Sequence, residues 1–207
     1  MNQDFKTIVL NRRSIREYDP TVKITKQEMT QILEDATRAP SSVNLQPWRF
    51  VIVESDEGKE KLRPFMRFNK KQNDTSSAMI LLFGDMECYR LTEDIYDQAV
   101  RDAHMPKDVR DKQVSNIVPL YSSFSREKMD DVVRLDCGLV GMQLMLVARS
   151  YGYDTNPIGG FIEEGLAESV GLDPNRYVPM MVIAIGKAME TGYHSLRLPV
   201  ETITTWK

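Results

Sequence analysis

Histidine and cysteine are almost missing from this chain of 207 residues: two of each occur, His104, His194, Cys88 and Cys137. Neither histidine has a partner at metal-ligand spacing, which argues against a zinc site of the usual Cys/His kind. The cysteines lie far apart and read as unpaired thiols in a reducing cytoplasm rather than as a disulfide. Long apolar runs are missing too. No stretch approaches the ~20 apolar residues that a membrane helix requires. The opening MNQDFKTIVLNRRSIREYDP has neither an uninterrupted apolar core nor a small-residue cleavage site. A cytoplasmic protein is therefore expected. Neither sign of charge dominates: the formal net charge is -3, so the total gives no reason to expect nucleic acid or an anionic membrane as partner. A local anion site is still compatible with that total.

Signatures of catalysis are also lacking. There is no P-loop, no fingerprint of three spaced glycines, no G-x-S-x-G and no Ser/His/Asp order worth proposing. An enzyme with this sequence would need a cofactor to carry its chemistry.

What is present is the balance of a globular domain, with 42% hydrophobic and 28% charged residues. One domain spanning 1–207 is expected. Residues 3–11 read as a short opening helix. Thr25-Lys-Gln-Glu28 fits a capping box, followed by Met29, Ile32, Leu33 and Ala36 at helical spacing; the helix should end before Pro40. Arg49–Glu54, Met79–Phe83 and Tyr177–Gly186 read as strands, and Gly58–Phe68 as a helical segment. The polar stretch 87–128 reads as helices that lie on the surface or cover something, and 187–207 as an unpatterned tail. Asp131–Tyr151 is apolar on nearly every side, which marks a central helix or one packed against a second subunit. Gly138 and Gly141 within it suggest close approach of another backbone. The order of elements favours an α+β sandwich, a small mixed or antiparallel sheet flanked by helices.

Four segments could carry chemistry. Arg12-Arg13-Ser14-Ile15-Arg16 gathers three guanidiniums and a hydroxyl, suited to phosphate but equally to a solvated cationic helix end. Pro40-Ser41-Ser42-Val43-Asn44-Leu45-Gln46-Pro47-Trp48 places small polar side chains between stiffening prolines, suited to the edge of a planar heterocycle, or simply a helix-to-strand connection. Asn156-Pro157-Ile158-Gly159-Gly160-Phe161 offers paired glycines that permit positive φ and close backbone approach, or a plain turn. Arg197, beside Pro199, stands in the tail.

Taken together, these segments resemble the nitroreductase family of FMN enzymes in order and spacing over essentially the whole chain. The R-x-S-x-[RK] opening is Arg12 to Arg16, followed by Tyr18; the P-S-[SA]-x-N-x-Q-P-W loop is Pro40 to Trp48 with every fixed position filled; the P-[IM]-x-G-[FY] turn is Pro157 to Phe161; the arginine-proline pair is Arg197 and Pro199. The resemblance implies a nitroreductase-like, intertwined homodimer with two FMN sites at the subunit interface. It implies that Arg12, Ser14 and Arg197 hold the phosphate and ribityl end, with Arg13 as a supporting charge and Arg16 near the pyrimidine edge. Pro40, Ser41, Ser42 and Asn44 would reach the flavin of the other subunit. Asn69, with Gln72 in the same segment and Asn73 as the alternative, would reach the ring, and the backbone at Ile158, Gly159 and Gly160 would face N5 and O4. The implied reaction is ping-pong hydride transfer from NAD(P)H to FMN N5 and on to a nitroaromatic, quinone or related acceptor. Residues 87–128 would form the lid and 187–207 a tail embracing the partner. Related flavin enzymes such as enone or flavin reductases, and a non-catalytic dimeric flavin-binding protein, are the alternatives.

Overall fold

A computed structural model describes residues 4–207. Four strands, β1 (Trp48–Val53), β2 (Ala78–Asp85), β3 (Asp154–Ile158) and β4 (Tyr177–Gly186), form one sheet in the order β1-β2-β4-β3. Every pairing is antiparallel, so the sheet is not mixed. All eight residues of β2 are buried. That explains its unbroken apolar sequence: alternate side chains point to opposite faces, and both faces are covered. Met79, Leu81 and Phe83 join Leu62, Met66 and Leu166 on one face, while Ala78 and Ile80 join Met29, Ile32 and Leu144 on the other.

The helices are α1 (Phe5–Asn11), α2 (Lys26–Ala36), α3 (Asp56–Leu62), α4 (Lys70–Thr75), α5 (Thr92–Arg101), α6 (Lys107–Ser122), α7 (Arg126–Ser150), α8 (Leu166–Ser169) and α9 (Val200–Ile203). Residue 3, where the opening helix was expected to start, lies outside the described residues. Thr25 caps α2 by accepting from the Glu28 amide at 3.2 Å. The reciprocal half of the capping box does not form, because Glu28 accepts instead from the Tyr153 hydroxyl at 2.8 Å. Helix α7 begins one turn earlier than its apolar pattern suggests, with Ser125 accepting from the Lys128 amide. One stripe of it (Val133, Cys137, Val140, Leu144, Ala148) is buried on the sheet; another (Leu135, Leu139, Met142) is exposed. Its glycines are not backbone contacts within the chain. A side chain at Gly138 would meet nothing within 4 Å, and Gly141 lies against the side chains of Met181 and Leu82.

Within residues 87–128, α5 and α6 lie over the core, as helices expected on the surface or as a cover would. Tyr96 of α5 and Val114, Ile117 and Tyr121 of α6 pack on Leu45, Trp48, Leu82 and Val133. Strand β3 was read from sequence only as a glycine turn. It is an edge strand, where Pro157 needs no ladder partner for its missing N–H.

Candidate functional site

After α1 the chain runs along the free edge of β3. Ser14 bridges to Thr155, and the Ile15 amide donates to the Thr155 carbonyl at 3.1 Å. Ile15 thereby enters the core, and its neighbours line a cavity of about 330 Å³ formed by Val9, Leu10, Arg12, Arg13, Ser14, Ser195 and Arg197. Arg12 and Arg197, far apart in sequence, meet here. Arg12 Nη1 is buried with no hydrogen-bond partner. Burial holds the Arg12 guanidinium below its ordinary pKa, and Arg197, Arg13 and Arg149 push the same way. A buried donor among like charges is a site short of an anion, and phosphate oxygens meet that need geometrically.

The tail closes this cavity. Met189 donates to Glu17 O at 3.0 Å, and Gly192 sits at φ +70°, where a side chain would come within 2.8 Å of Arg13 Cβ. Only glycine is comfortable in that position. Arg13 is largely engaged within the chain: Nη1 donates to the carbonyls of Leu10 and Arg12, at 2.8 and 2.9 Å. Arg16 is exposed, donates to Ser14 O at 3.3 Å and lies 5.1 Å over the Tyr193 ring. Beside the cavity, Arg149 pairs with Asp154, and Arg149 Nε and Thr155 Oγ1 are also buried without partners.

The Pro40–Trp48 loop has unusual backbone. Val43, Asn44 and Gln46 all have positive φ, at 42°, 56° and 48°. Asn tolerates the left-handed region; a β-branched Val there is a genuine outlier, and such strain gathers at functional sites. Internal ties hold the turn: Asn44 N to Ser41 O, Leu45 N to Ser42 O and Gln46 N to Ser41 Oγ, each at 3.0 Å. External ties hold it in place. The Ser42 amide and hydroxyl donate to Asp136 of α7 at 3.0–3.1 Å, and the Tyr96 hydroxyl of α5 donates to Val43 O at 3.0 Å. Burial raises the Asp136 carboxyl, and the Ser42 bonds partly offset this. Pro40 and Asn44 are exposed.

The third group joins α4 to the end of β3. Asn69 Nδ2 donates to Gly160 O at 3.2 Å, and Gln72 Nε2 donates to Asn69 Oδ1 at 3.0 Å. Gln72 is buried, so its side chain orients Asn69 rather than lining open space. Asn73 is buried too and donates to Lys59 O, which leaves Asn69 as the asparagine on the surface of this group. Gly159 and Gly160 are not at positive φ, so the pair does not use the conformation that glycine permits. What distinguishes them is exposure, while the Ile158 side chain belongs to the core.

Sequence reasoning missed Asp136, Tyr96, Gly192 and the Arg149–Asp154 pair. Asp136 had a usable signal, an acidic residue inside the most apolar helix of the chain. The others had none, since their partners are supplied by distant segments. Among the described residues no Cys/His/Asp/Glu group could hold a metal ion, and no helix is long and apolar enough to cross a membrane.

A helix-covered antiparallel sheet of four strands, with an arginine-lined cavity at its edge, defines an α+β domain. The chain belongs to the nitroreductase family, whose profile matches residues 9–187. It is 53% identical to YdgI of Bacillus subtilis, provisionally named an NAD(P)H nitroreductase, over 99% of this chain and 98% of that one. It is 38% identical to the CLA biosynthesis enone reductase of Lactiplantibacillus plantarum, over 99% of this chain and 94% of the relative. A crystal structure from Exiguobacterium sibiricum, provisionally called a nitroreductase and holding FMN, superposes with a TM-score of 0.97 at 54% identity, covering 99% and 98% of the two chains.

Proposed function

We propose that the protein is an FMN-dependent oxidoreductase that takes reducing equivalents from NAD(P)H and passes them to a small organic acceptor. The observation that carries this reading is the buried, unpartnered Arg12 Nη1 in a cavity shared with Ser14 and Arg197. Those residues fit the phosphate end of FMN: two guanidiniums and a hydroxyl meet a dianion, and the anion offsets the burial and the neighbouring arginines that depress Arg12. Arg13 lines the same cavity as a supporting charge. Arg16, exposed and held over Tyr193, is the cation available to the ring edge. Asn69 and the exposed backbone at Gly159 and Gly160 form one surface for the ring, with Gln72 behind Asn69.

Pro40, Ser41, Ser42 and Asn44 would meet the flavin of a second copy. Leu139 and Met142 of the exposed stripe line an apolar groove together with Phe5 and Pro40, which supports a homodimer through α7. The tail beyond Arg197 carries exposed Leu198, Val200, Ile203 and Trp206, apolar surface suited to a partner. Bound FMN would supply the hydride chemistry, in ping-pong alternation between nicotinamide and acceptor; the protein supplies binding, orientation and charge.

Purified protein should be yellow, or become so with FMN, and should bleach anaerobically with NADH or NADPH. Colourless protein that FMN cannot reconstitute would overturn the proposal. Flavin that neither nucleotide reduces would favour a non-catalytic binding protein. Nitroaromatics and quinones are the first acceptors to assay. The 38% identity to an enone reductase favours α,β-unsaturated ketones as the second class; faster reoxidation by an enone than by a nitroaromatic would decide for it. Arg12→Ala with Arg197→Ala should release the cofactor, read as loss of the yellow flavin colour from the protein after desalting; full retention would refute the phosphate assignment.

A further inference from the structure

Asp136 stands out among the buried charges. It is 2% exposed on an otherwise apolar stripe of α7, between Val133 and Val140. The other fully buried carboxylate, Asp85, is neutralised by Arg49 and Arg176. Among the described residues Asp136 has no cationic partner; its hydrogen bonds come from Ser42 alone, through the backbone N–H and the hydroxyl. Burying a carboxylate without a counter-charge is costly, and an apolar side chain would serve the packing of α7 better. The residue it holds is immediately followed by the left-handed pair Val43 and Asn44. Strained backbone persists only where its surroundings over-determine it. Here the surroundings are two helices, α7 through Asp136 and the cover helix α5 through Tyr96.

We infer that Asp136 is a positioning residue for flavin binding: its carboxylate anchors Ser42 and so sets the shape in which the Pro40–Trp48 loop presents Ser41 and Asn44. The inference rests on the FMN reading above, in which that loop is one wall of the site. It adds a residue outside the loop that acts only through Ser42. It also gives α7 a second duty, since the stripe adjoining Asp136 is the exposed Leu135–Leu139–Met142 face. Loop shape and the exposed apolar face are thus borne by one helix.

Three variants test it. Asp136→Asn can still accept from the Ser42 amide and donate to the Ser42 hydroxyl, so the anchor should survive. Asp136→Ala removes it. Asp136→Leu removes it while filling the space with an apolar side chain, which keeps the fold at least as stable. FMN affinity is read from quenching of flavin fluorescence, and loop order from amide hydrogen exchange of residues 42–46 in the apoprotein. For Asp136→Leu and Asp136→Ala the expectation is an FMN Kd raised at least about tenfold, the loss of hydrogen bonds to a charged acceptor, with faster exchange at Asn44, Leu45 and Gln46 and unchanged exchange in β2 and β4. For Asp136→Asn it is a Kd within about threefold of wild type. Wild-type affinity and loop exchange in Asp136→Leu would overturn the inference, as would equal losses in Asp136→Asn and Asp136→Leu. If the wild-type protein takes no FMN, the function proposed above fails by itself, and the exchange measurement still tells whether Asp136 shapes the loop.

Discussion

Arg12 and Asp85 are charges shielded from water in opposite ways. Asp85 is fully buried and receives Arg49 Nη2 at 2.9 Å and two bonds from Arg176 at 2.8 Å each. Arg176 is held above its ordinary pKa by that bidentate bond. The cluster is complete and ties β1, β2 and the approach to β4. Asp85→Ala would leave two cations facing each other, and should cost about 3 kcal/mol in urea denaturation, the usual effect of removing one member of a buried pair. Arg12 is incomplete by comparison, with a buried donor left unpartnered, and that difference is what the proposed phosphate site rests on. The cysteines belong with the structural group. Burial pushes both thiols up to about 12, so neither is a thiolate at neutral pH. Ellman's reagent should find no reactive thiol in native protein and both after unfolding. Asp136 carries a pH signature of its own. Its carboxyl is raised by burial, with the Ser42 bonds pulling the other way, so the folded chain binds that proton more tightly than the unfolded chain does. Its stability contribution is therefore full below the ordinary carboxylate range, near pH ~4, and is lost as pH rises through the folded value. The melting temperature of wild type relative to Asp136→Asn should fall as pH is raised from about 4 to about 8.

At the scale of elements, α2, β1, β2 and β4 were legible because apolar periodicity and cap residues agree with the packing each finally adopts. Strand β3 was not, because Asp, Asn and Pro within five residues read as a turn; only its position at the sheet edge, beside the arm carrying Ser14, makes it a strand. The loop between α2 and β1 was recognised as a motif, but its three left-handed residues were not. Replacing Val43 with Asn, which tolerates that region, should stabilise the protein by about 1 kcal/mol, a gain that thermal melts would register as a few degrees. Contact between β2 and α7 is tighter. A Cβ on Gly84 would stand 2.1 Å from Val133 and 2.6 Å from Met180. Gly84→Ala should therefore destabilise by about 1–3 kcal/mol through overpacking, and an unchanged melting temperature would show that α7 can yield there.

For the whole molecule, the contacts of one chain sort the site into three groups: the Arg12 cavity, the Asn69–Gly160 contact, and the Pro40–Trp48 loop on Asp136. The proposed homodimer would bring the last of these to the flavin of the second copy. Leu139→Glu puts a charge in the exposed apolar stripe of α7. It should give a monomer by sedimentation velocity and weaken FMN retention at the same time; a flavin-loaded monomer would separate the cofactor site from the interface. Sequence by itself determined the α+β class, the family resemblance and the four candidate segments, because these are written in local order: guanidinium spacing, a proline-framed polar loop, apolar runs. Tertiary structure alone decided how each of those side chains is satisfied. Arg13 turned out to be bonded to its own helix end, Gln72 and Ile158 to be buried, and Arg12 to be left with a donor unused. Whether a polar group is satisfied depends on neighbours that the chain brings from far away, and no local pattern records them.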